Sequence, residues 1–211
     1  MKIVAINGSA RKKGNTSLVL DAMVEVFQAE GIQCERIDIG EQAIQGCVGC
    51  GACRKMQNRK CRFDDDPVNA WTAKLIEADG MIVGSPVYYA GMNGSLKSFL
   101  DRAFFVASAN GSLLRHKVGA GIVAVRRGGS VTALDQIYKY FTISEMYMAS
   151  GTYWNMIYGM EPGEAAKDEE GMQCARILAA NTAWLMKVME EGKKTLSPPP
   201  ILAKSRMNFI R

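Results

Sequence analysis

Four cysteines fall within one short stretch, "CVGCGACRKMQNRKC", with the spacing C-x2-C-x2-C-x7-C. Thiols set out like this can form disulfides, hold a metal or an iron–sulfur cluster, or do thiol redox chemistry as a bare loop. Cys47, Cys50 and Cys53 can face one compact object, with Cys61 arriving from the return of the loop. Gly46, Gly49 and Gly51 let the backbone wrap tightly. Zinc sites usually separate two C-x2-C pairs, whereas three evenly packed cysteines suit a cubane better. Zinc and a metal-free thiol loop remain the alternatives. Arg54, Lys55, Arg59, Lys60 and Arg62 surround the cysteines, before Asp64, Asp65 and Asp66. Cations there would favour the reduced, more negative state of a cluster and would steer an acidic partner such as ferredoxin.

What is missing narrows the chemistry. His116 is the only histidine, so a histidine-based triad or two-histidine metal site is excluded. No SxxK, HExxH or kinase motif set occurs. A bound cofactor must therefore carry the reaction, and no side chain is expected to be catalytic. The 211 residues carry a formal net charge of +5, too diffuse to argue for nucleic acid and opposite in sign to an acidic electron carrier. No apolar run is long enough for a signal-peptide core or a membrane span. The expected location is cytoplasmic, where thiols stay reduced and a disulfide framework is disfavoured.

The elements that must position these residues alternate in type. "KIVAI", "IQCERIDI", "GMIVGSP", "KVGAGIVAV" and "GTYWNMIYG" predict five strands. "SLVLDAMVEVFQAEG" predicts the first helix, with Gly31 at its C-cap. "DPVNAWTAKLIEADG" predicts a helix with Asp66 at the N-cap and Pro67 in the first turn. "GSLKSFLDRAFFVAS", "SVTALDQIYKYFTISEMYMAS" and "DEEGMQCARILAANTAWLMKVMEEGKK" predict three more helices. Strand–helix alternation implies an α/β, three-layer sandwich around a parallel sheet. Five units fit the flavodoxin-like order 2-1-3-4-5, with the ligand site at the carboxyl ends of strands 1 and 3. Residues 1–195 form the expected domain, with the cysteine-rich loop at 46–66. Pro198, Pro199 and Pro200 make 196–211 an extended tail. Its apolar "ILA" and "MNFI" predict docking on this subunit or on a neighbour.

Three further loops have ligand chemistry. "NGSARKKGNTS" is neither a Walker A loop nor GxGxxG. It nonetheless offers Ser9, Asn15, Thr16, Ser17 and Arg11 to a phosphate at a helix start. The plainer reading is a helix capped by its own Asn, Thr and Ser. In "GSPVYYAGMNGSLKSFLDR", Pro86 ends the strand and leaves Val87, Tyr88 and Tyr89 at the crevice. A flat ring covering such tyrosines gains about 0.5–1.5 kcal/mol beyond area burial. In "RRGGS", Gly128 and Gly129 admit a ligand edge close to the backbone.

These loops resemble the flavin loops of the NADPH-dependent FMN reductase family, over residues 1 to about 160. The cysteine loop with its following "DDD" resembles the iron–sulfur flavoprotein branch of that family. The resemblance implies FMN, its phosphate held by Ser9, Arg11, Asn15, Thr16 and Ser17. Pro86, Val87, Tyr88, Tyr89 and Met92 would flank the isoalloxazine, and Arg127, Gly128 and Gly129, with Arg126, would meet its polar edge. It also implies a [4Fe–4S] cluster on Cys47, Cys50, Cys53 and Cys61. Electrons would enter FMN at N5 as hydride from NAD(P)H, or singly through the cluster from a ferredoxin-type donor. They would leave to a small-molecule acceptor such as a quinone, an oxygen species or free flavin. A cluster-free FMN or quinone reductase and a non-catalytic flavodoxin-like carrier are the rival readings. One phosphate loop with no second dinucleotide half favours FMN over FAD. The apolar tail and "YFTISEMYMASGTYW" predict a homodimer or homotetramer with the flavin near a subunit interface.

Overall fold

Ile3 to Ile6 are wholly buried because their strand lies at the centre of a sheet covered on both faces. The computed structural model describes residues 1–203 together with 205, 207 and 209. Strands β1 (Lys2–Asn7), β2 (Gln33–Asp38), β3 (Gly80–Pro86) and β4 (Val118–Val125) pair in parallel in the order β2-β1-β3-β4. Two short strands, β5 (Tyr147–Met148) and β6 (Met156–Tyr158), both pair in parallel with β4. The helices are α1 (Asn15–Ala29), α2 (Ala52–Met56), α3 (Val68–Glu77), α4 (Gly94–Ala109), α5 (Ser130–Ile143) and α6 (Glu169–Thr195). Alternation along β1 sends Val4 and Ile6 to a core with Leu75, Leu96, Phe99 and Phe141 from α3, α4 and α5. Ile3 and Ala5 face the other core, with Leu20, Met23 and Phe27 of α1 and Leu178 of α6. The flavodoxin-like order expected from the sequence is the one observed.

The far edge of the sheet departs from expectation. The sequence pattern predicts one helix over 130–150 and one strand over 151–159. Instead α5 ends at Ile143, with Glu145 at φ 55° and Met146 N–H donating to Phe141 O at 3.0 Å. This is a left-handed helix stop without the glycine that usually signals one. β5 then pairs with Val118 and Gly119, and β6 resumes opposite Val123 to Val125. Between them the ladder opens, held at each end by Ala149 N–H to Gly119 O and Val123 N–H to Asn155 O, both 3.1 Å.

Two smaller corrections concern the cysteine loop and the tail. α3 begins at Val68, and Asp66 serves it by accepting from Val68 N–H at 3.2 Å while its other oxygen pairs with Arg102. Leu196 is extended and residues 196–203 form no helix or strand; Arg115 Nη1 donates to Pro199 O at 2.8 Å, and Leu196, Ile201 and Leu202 stay exposed. Lys204, Arg206, Asn208, Ile210 and Arg211 of the expected tail lie outside the described residues. Among the described residues no helix is long and apolar enough to cross a membrane.

The ends of β1 and β3 are drawn together at Gly8, whose N–H donates to Gly84 O at 2.8 Å. A Cβ on Gly8 would lie 2.9 Å from that oxygen and 2.6 Å from Leu96 Cδ2. Gly8→Ala should therefore cost about 1–3 kcal/mol as the strand ends are forced apart. A urea midpoint equal to wild type would show that this approach can relax.

Candidate functional site

Helices α1 and α4 both start at the carboxyl end of the sheet, but only α4 is capped by its own side chain. Asn93 accepts from Ser95 N–H at 2.7 Å and Leu96 N–H at 3.1 Å. At α1 the N-cap is Gly14, with no side-chain cap. The self-capped reading of this helix start is thereby overturned. Asn15 instead reaches across the fold, donating to Glu161 O at 3.0 Å and accepting from Gly163 and Ala165 N–H at 3.0 and 3.2 Å. Ser17 Oγ accepts from Arg36 at 2.8 Å and lies 3.4 Å from Asp21. The Asn15 and Ser17 side chains thus already hold partners within the fold, while the main-chain N–H groups at the helix start face outward.

Ser9 is buried and accepts from Arg11 N–H at 3.1 Å, which shapes the turn. The Arg11 side chain is exposed beside it. Thr16 is almost wholly buried, and its hydroxyl has no hydrogen-bond partner. The first N–H groups of a helix have no acceptor within it, and its dipole presents positive charge there. An orphaned hydroxyl at this open start fits a phosphate group.

The tyrosine loop forms a strained shelf. Val87 N–H donates to Ala124 O at 2.9 Å, and Tyr88 and Gly91 exchange two bonds of 2.9 Å. Tyr89 and Ala90 both have positive φ, 49° and 58°. A tight turn of this hand normally uses Asn or Gly, and other residues there cost about 1–3 kcal/mol each. The turn leaves the Tyr89 side chain fully exposed and Tyr88 half exposed. Gly129, at φ 90°, closes the shelf: a Cβ on it would sit 2.6 Å from Ala90 Cα. Arg126, Arg127 and Gly128 are exposed on the same loop, and Pro86 and Val87 are half-buried at the base of the shelf.

Met92 lies elsewhere than expected. Its side chain is in the core with Leu96 and Phe99, and its N–H donates to Gln136 Oε1 at 3.0 Å. It supports the shelf from below instead of flanking a ligand. The sequence reading also missed the stretch after β6. Gly159 N–H bonds Val125 O at 3.0 Å, and Asn15 pins 161–165, so exposed Tyr158 and Met160 stand between the two loops. The turn residues Glu161, Pro162 and Gly163 were the available signal.

The four predicted cysteines line one hollow, together with Phe63, Arg102 and Phe105. None of them forms a disulfide. Cys53 is buried, Cys61 half-buried, and Cys47 and Cys50 exposed. Gly49 and Gly51 take left-handed φ of 65° and 70° to bring the chain round. Side chains the sequence reading did not single out hold the loop. Asn69 accepts from Cys61 N–H at 2.7 Å and donates to Cys61 O and Phe63 O at 3.0 and 3.1 Å. Asn110 accepts from Arg59 N–H at 2.9 Å and donates to Cys53 O at 3.3 Å. Arg102, only 1% exposed, pairs with Asp66 and donates to Gln45 O at 3.2 Å and Phe63 O at 2.9 Å.

Burial pushes the Cys53 thiol up, and nearby Cys61 and Cys50 add to the shift. Burial also opposes the Arg102 charge, but Asp66 and Cys61 more than restore it. Among the described residues, no three His, Cys, Asp or Glu side chains gather as a single-ion centre. A lone zinc would need its sulfurs about 2.3 Å from one point. Four thiols around one hollow, with one buried cation beside them, are the donor set of a four-cysteine centre. The predicted basic side chains Arg54, Lys55, Arg59, Lys60 and Arg62 are exposed around it, as are Val48 and Met56.

Comparison with known proteins agrees with this geometry. Residues 1–160 match the family model described as NADPH-dependent FMN reductase. An iron–sulfur flavoprotein of Methanocaldococcus jannaschii is 34% identical over 198 residues, 90% of this chain and 100% of that one. An iron–sulfur flavoprotein of Methanosarcina thermophila is 29% identical, covering 92% of this chain and 99% of that one. Among solved structures, RosB with bound 8-demethyl-8-formylriboflavin-5'-phosphate superposes with a TM-score of 0.67 at 15% identity. That match covers 100% of this chain and 94% of RosB, and it shows the fold alone.

Proposed function

The chain belongs to the NADPH-dependent FMN reductase family, in its iron–sulfur flavoprotein branch, and from that premise we propose how it moves electrons. It is a flavin-dependent oxidoreductase. In our reading FMN lies at the ends of β1, β3 and β4, and a [4Fe–4S] cluster is held by Cys47, Cys50, Cys53 and Cys61. Electrons come from NAD(P)H or a ferredoxin-type donor and pass to a small-molecule acceptor. The observation that carries the flavin assignment is the uncapped start of α1 with the buried, unpartnered Thr16 hydroxyl. The cluster assignment is supported by the shared hollow of the four cysteines and by the relatives' names.

FMN supplies hydride and single-electron chemistry at N5, so the protein needs no side-chain acid or base. The chain's part is to hold and to exclude. The main-chain N–H groups of residues 15–17, the Thr16 hydroxyl and Arg11 bind the phosphate. Tyr88 and Tyr89 cover a ring face, and Arg127 and Gly128 offer donors to its polar edge. The exposed cations around the cysteines attract an acidic donor protein at long range. Tyr147, Met148, Tyr153, Trp154 and Trp184 are exposed on β5, the 149–155 segment and α6. We assign this apolar surface to contact with a second copy of the chain. Light scattering at micromolar concentration should give at least twice the 23.1 kDa chain mass. A monomer would remove the assignment.

Thr16→Val separates holding the ligand from holding the fold. Deleting a buried hydroxyl without a partner should leave flavin-free stability unchanged or raised. Losing its bond to a phosphate should weaken FMN about tenfold or more, as read by flavin fluorescence titration. Equal FMN affinity would take Thr16 out of the site. For the cysteines, anaerobic reconstitution should load about four irons per chain. Cys61→Ala should abolish this while FMN stays bound, and Cys34→Ala should not. Wild-type protein with about zero iron would favour the cluster-free thiol loop instead.

A further inference from the structure

The Arg102 side chain hydrogen-bonds both ends of the cysteine loop. Its Nη1 donates to Gln45 O, before the first cysteine, and its Nη2 to Phe63 O, after the last. Nη1 also meets the Asp66 carboxylate. The guanidinium carries five N–H donors in a rigid plane. Its Nε–H is buried and has no partner. A buried donor left unpaired costs about 1–3 kcal/mol, so such groups almost always have an acceptor when the molecule is complete. The hollow that Arg102 lines is ringed by Cys47, Cys50, Cys53 and Cys61, so sulfur is the acceptor its walls supply.

We propose that Arg102 is the positioning residue of the cysteine centre, with Nε–H donating to a sulfur of the loaded cluster while the fork clamps the loop ends around it. The inference rests on the cluster reading above. Asp66 neutralises the cation in the buried surroundings without occupying the hollow, because it is not among the residues that line it. A hydrogen bond donated to sulfur favours the reduced, more negative state of a cluster. Arg102 therefore raises the midpoint potential as well as retaining iron. Lysine cannot substitute, since a single ammonium lacks the planar fork that reaches Gln45, Phe63 and Asp66 together.

The test uses the full chain, reconstituted anaerobically, as Arg102→Lys and as the charge-balanced double variant Arg102→Met with Asp66→Asn. The double variant leaves no unpaired buried charge, and bound FMN with a wild-type circular dichroism spectrum reports that each variant folds. Both variants should bind FMN and should lose iron to a chelator about tenfold faster or more. Both should show a midpoint potential below wild type in a dye-mediated redox titration. A merely structural arginine would leave iron release and potential unmoved in the double variant. Wild-type values for both quantities in both variants overturn this inference alone. A wild type that takes up no iron overturns the cluster reading and this inference with it.

Discussion

The buried ion pair between Arg102 and Asp66 is the contact around which the cysteine half of the molecule is built. Two charges taken out of water bind each other only if their remaining groups are also satisfied. Breaking one partner of such a pair costs about 3–5 kcal/mol. Here Asp66 also accepts from Val68 N–H at the start of α3, and the guanidinium donates to two loop carbonyls from its place on α4. One pair thus joins two helices and both ends of a loop that has little regular structure of its own beyond α2. The Asn69 and Asn110 side chains repeat the pattern, each bonding loop backbone from a helix or a helix end.

The same helix ties this half to the other. Asn93 caps α4 directly after the tyrosine turn, and Arg102 lies about 14 Å further along the axis at 1.5 Å per residue. The tyrosine shelf therefore stands at the start of one rigid rod, and the cysteine hollow lies along its second half. At the shelf the backbone is held in left-handed conformations at Tyr89 and Ala90, against the preference of both residues. Gly129 and Gln136 constrain it from the neighbouring loop and helix, the first by leaving room and the second by accepting Met92 N–H. The contrast between the capped α4 and the uncapped α1 completes the picture. One helix start is satisfied by its own chain, and the other faces outward with its donors.

Much of this was legible in the sequence because it depends on local pattern. The buried runs of β1, β3 and β4, the left-handed Gly31 just after the C-cap of α1 and the four cysteines each announce themselves within a few residues. What was not legible depends on distant partners. Asn15 looks like a ligand donor until Glu161, Gly163 and Ala165 are folded against it. Met92 sits in a ligand loop by sequence, but the core claims its side chain. Asp101 and Arg102 are adjacent charges on one helix, and only packing shows that Asp101 pairs with exposed Lys97 while Arg102 is sealed inside. The stop of α5 was hidden because Glu145, not glycine, takes the left-handed position.

The divided strand at the edge of the sheet bears on how this molecule meets others of its kind. A long, continuous outer strand offers a row of unpaired peptide groups that a foreign strand can extend, the usual beginning of runaway association. Here the row is cut into pieces of two and three residues, with the seven residues 149–155 between them. On this edge no long template remains along which another chain could lengthen the sheet. Any partner approaching this side must be recognised through its side chains, a selective mode of contact, and the peptide backbone offers strangers no foothold.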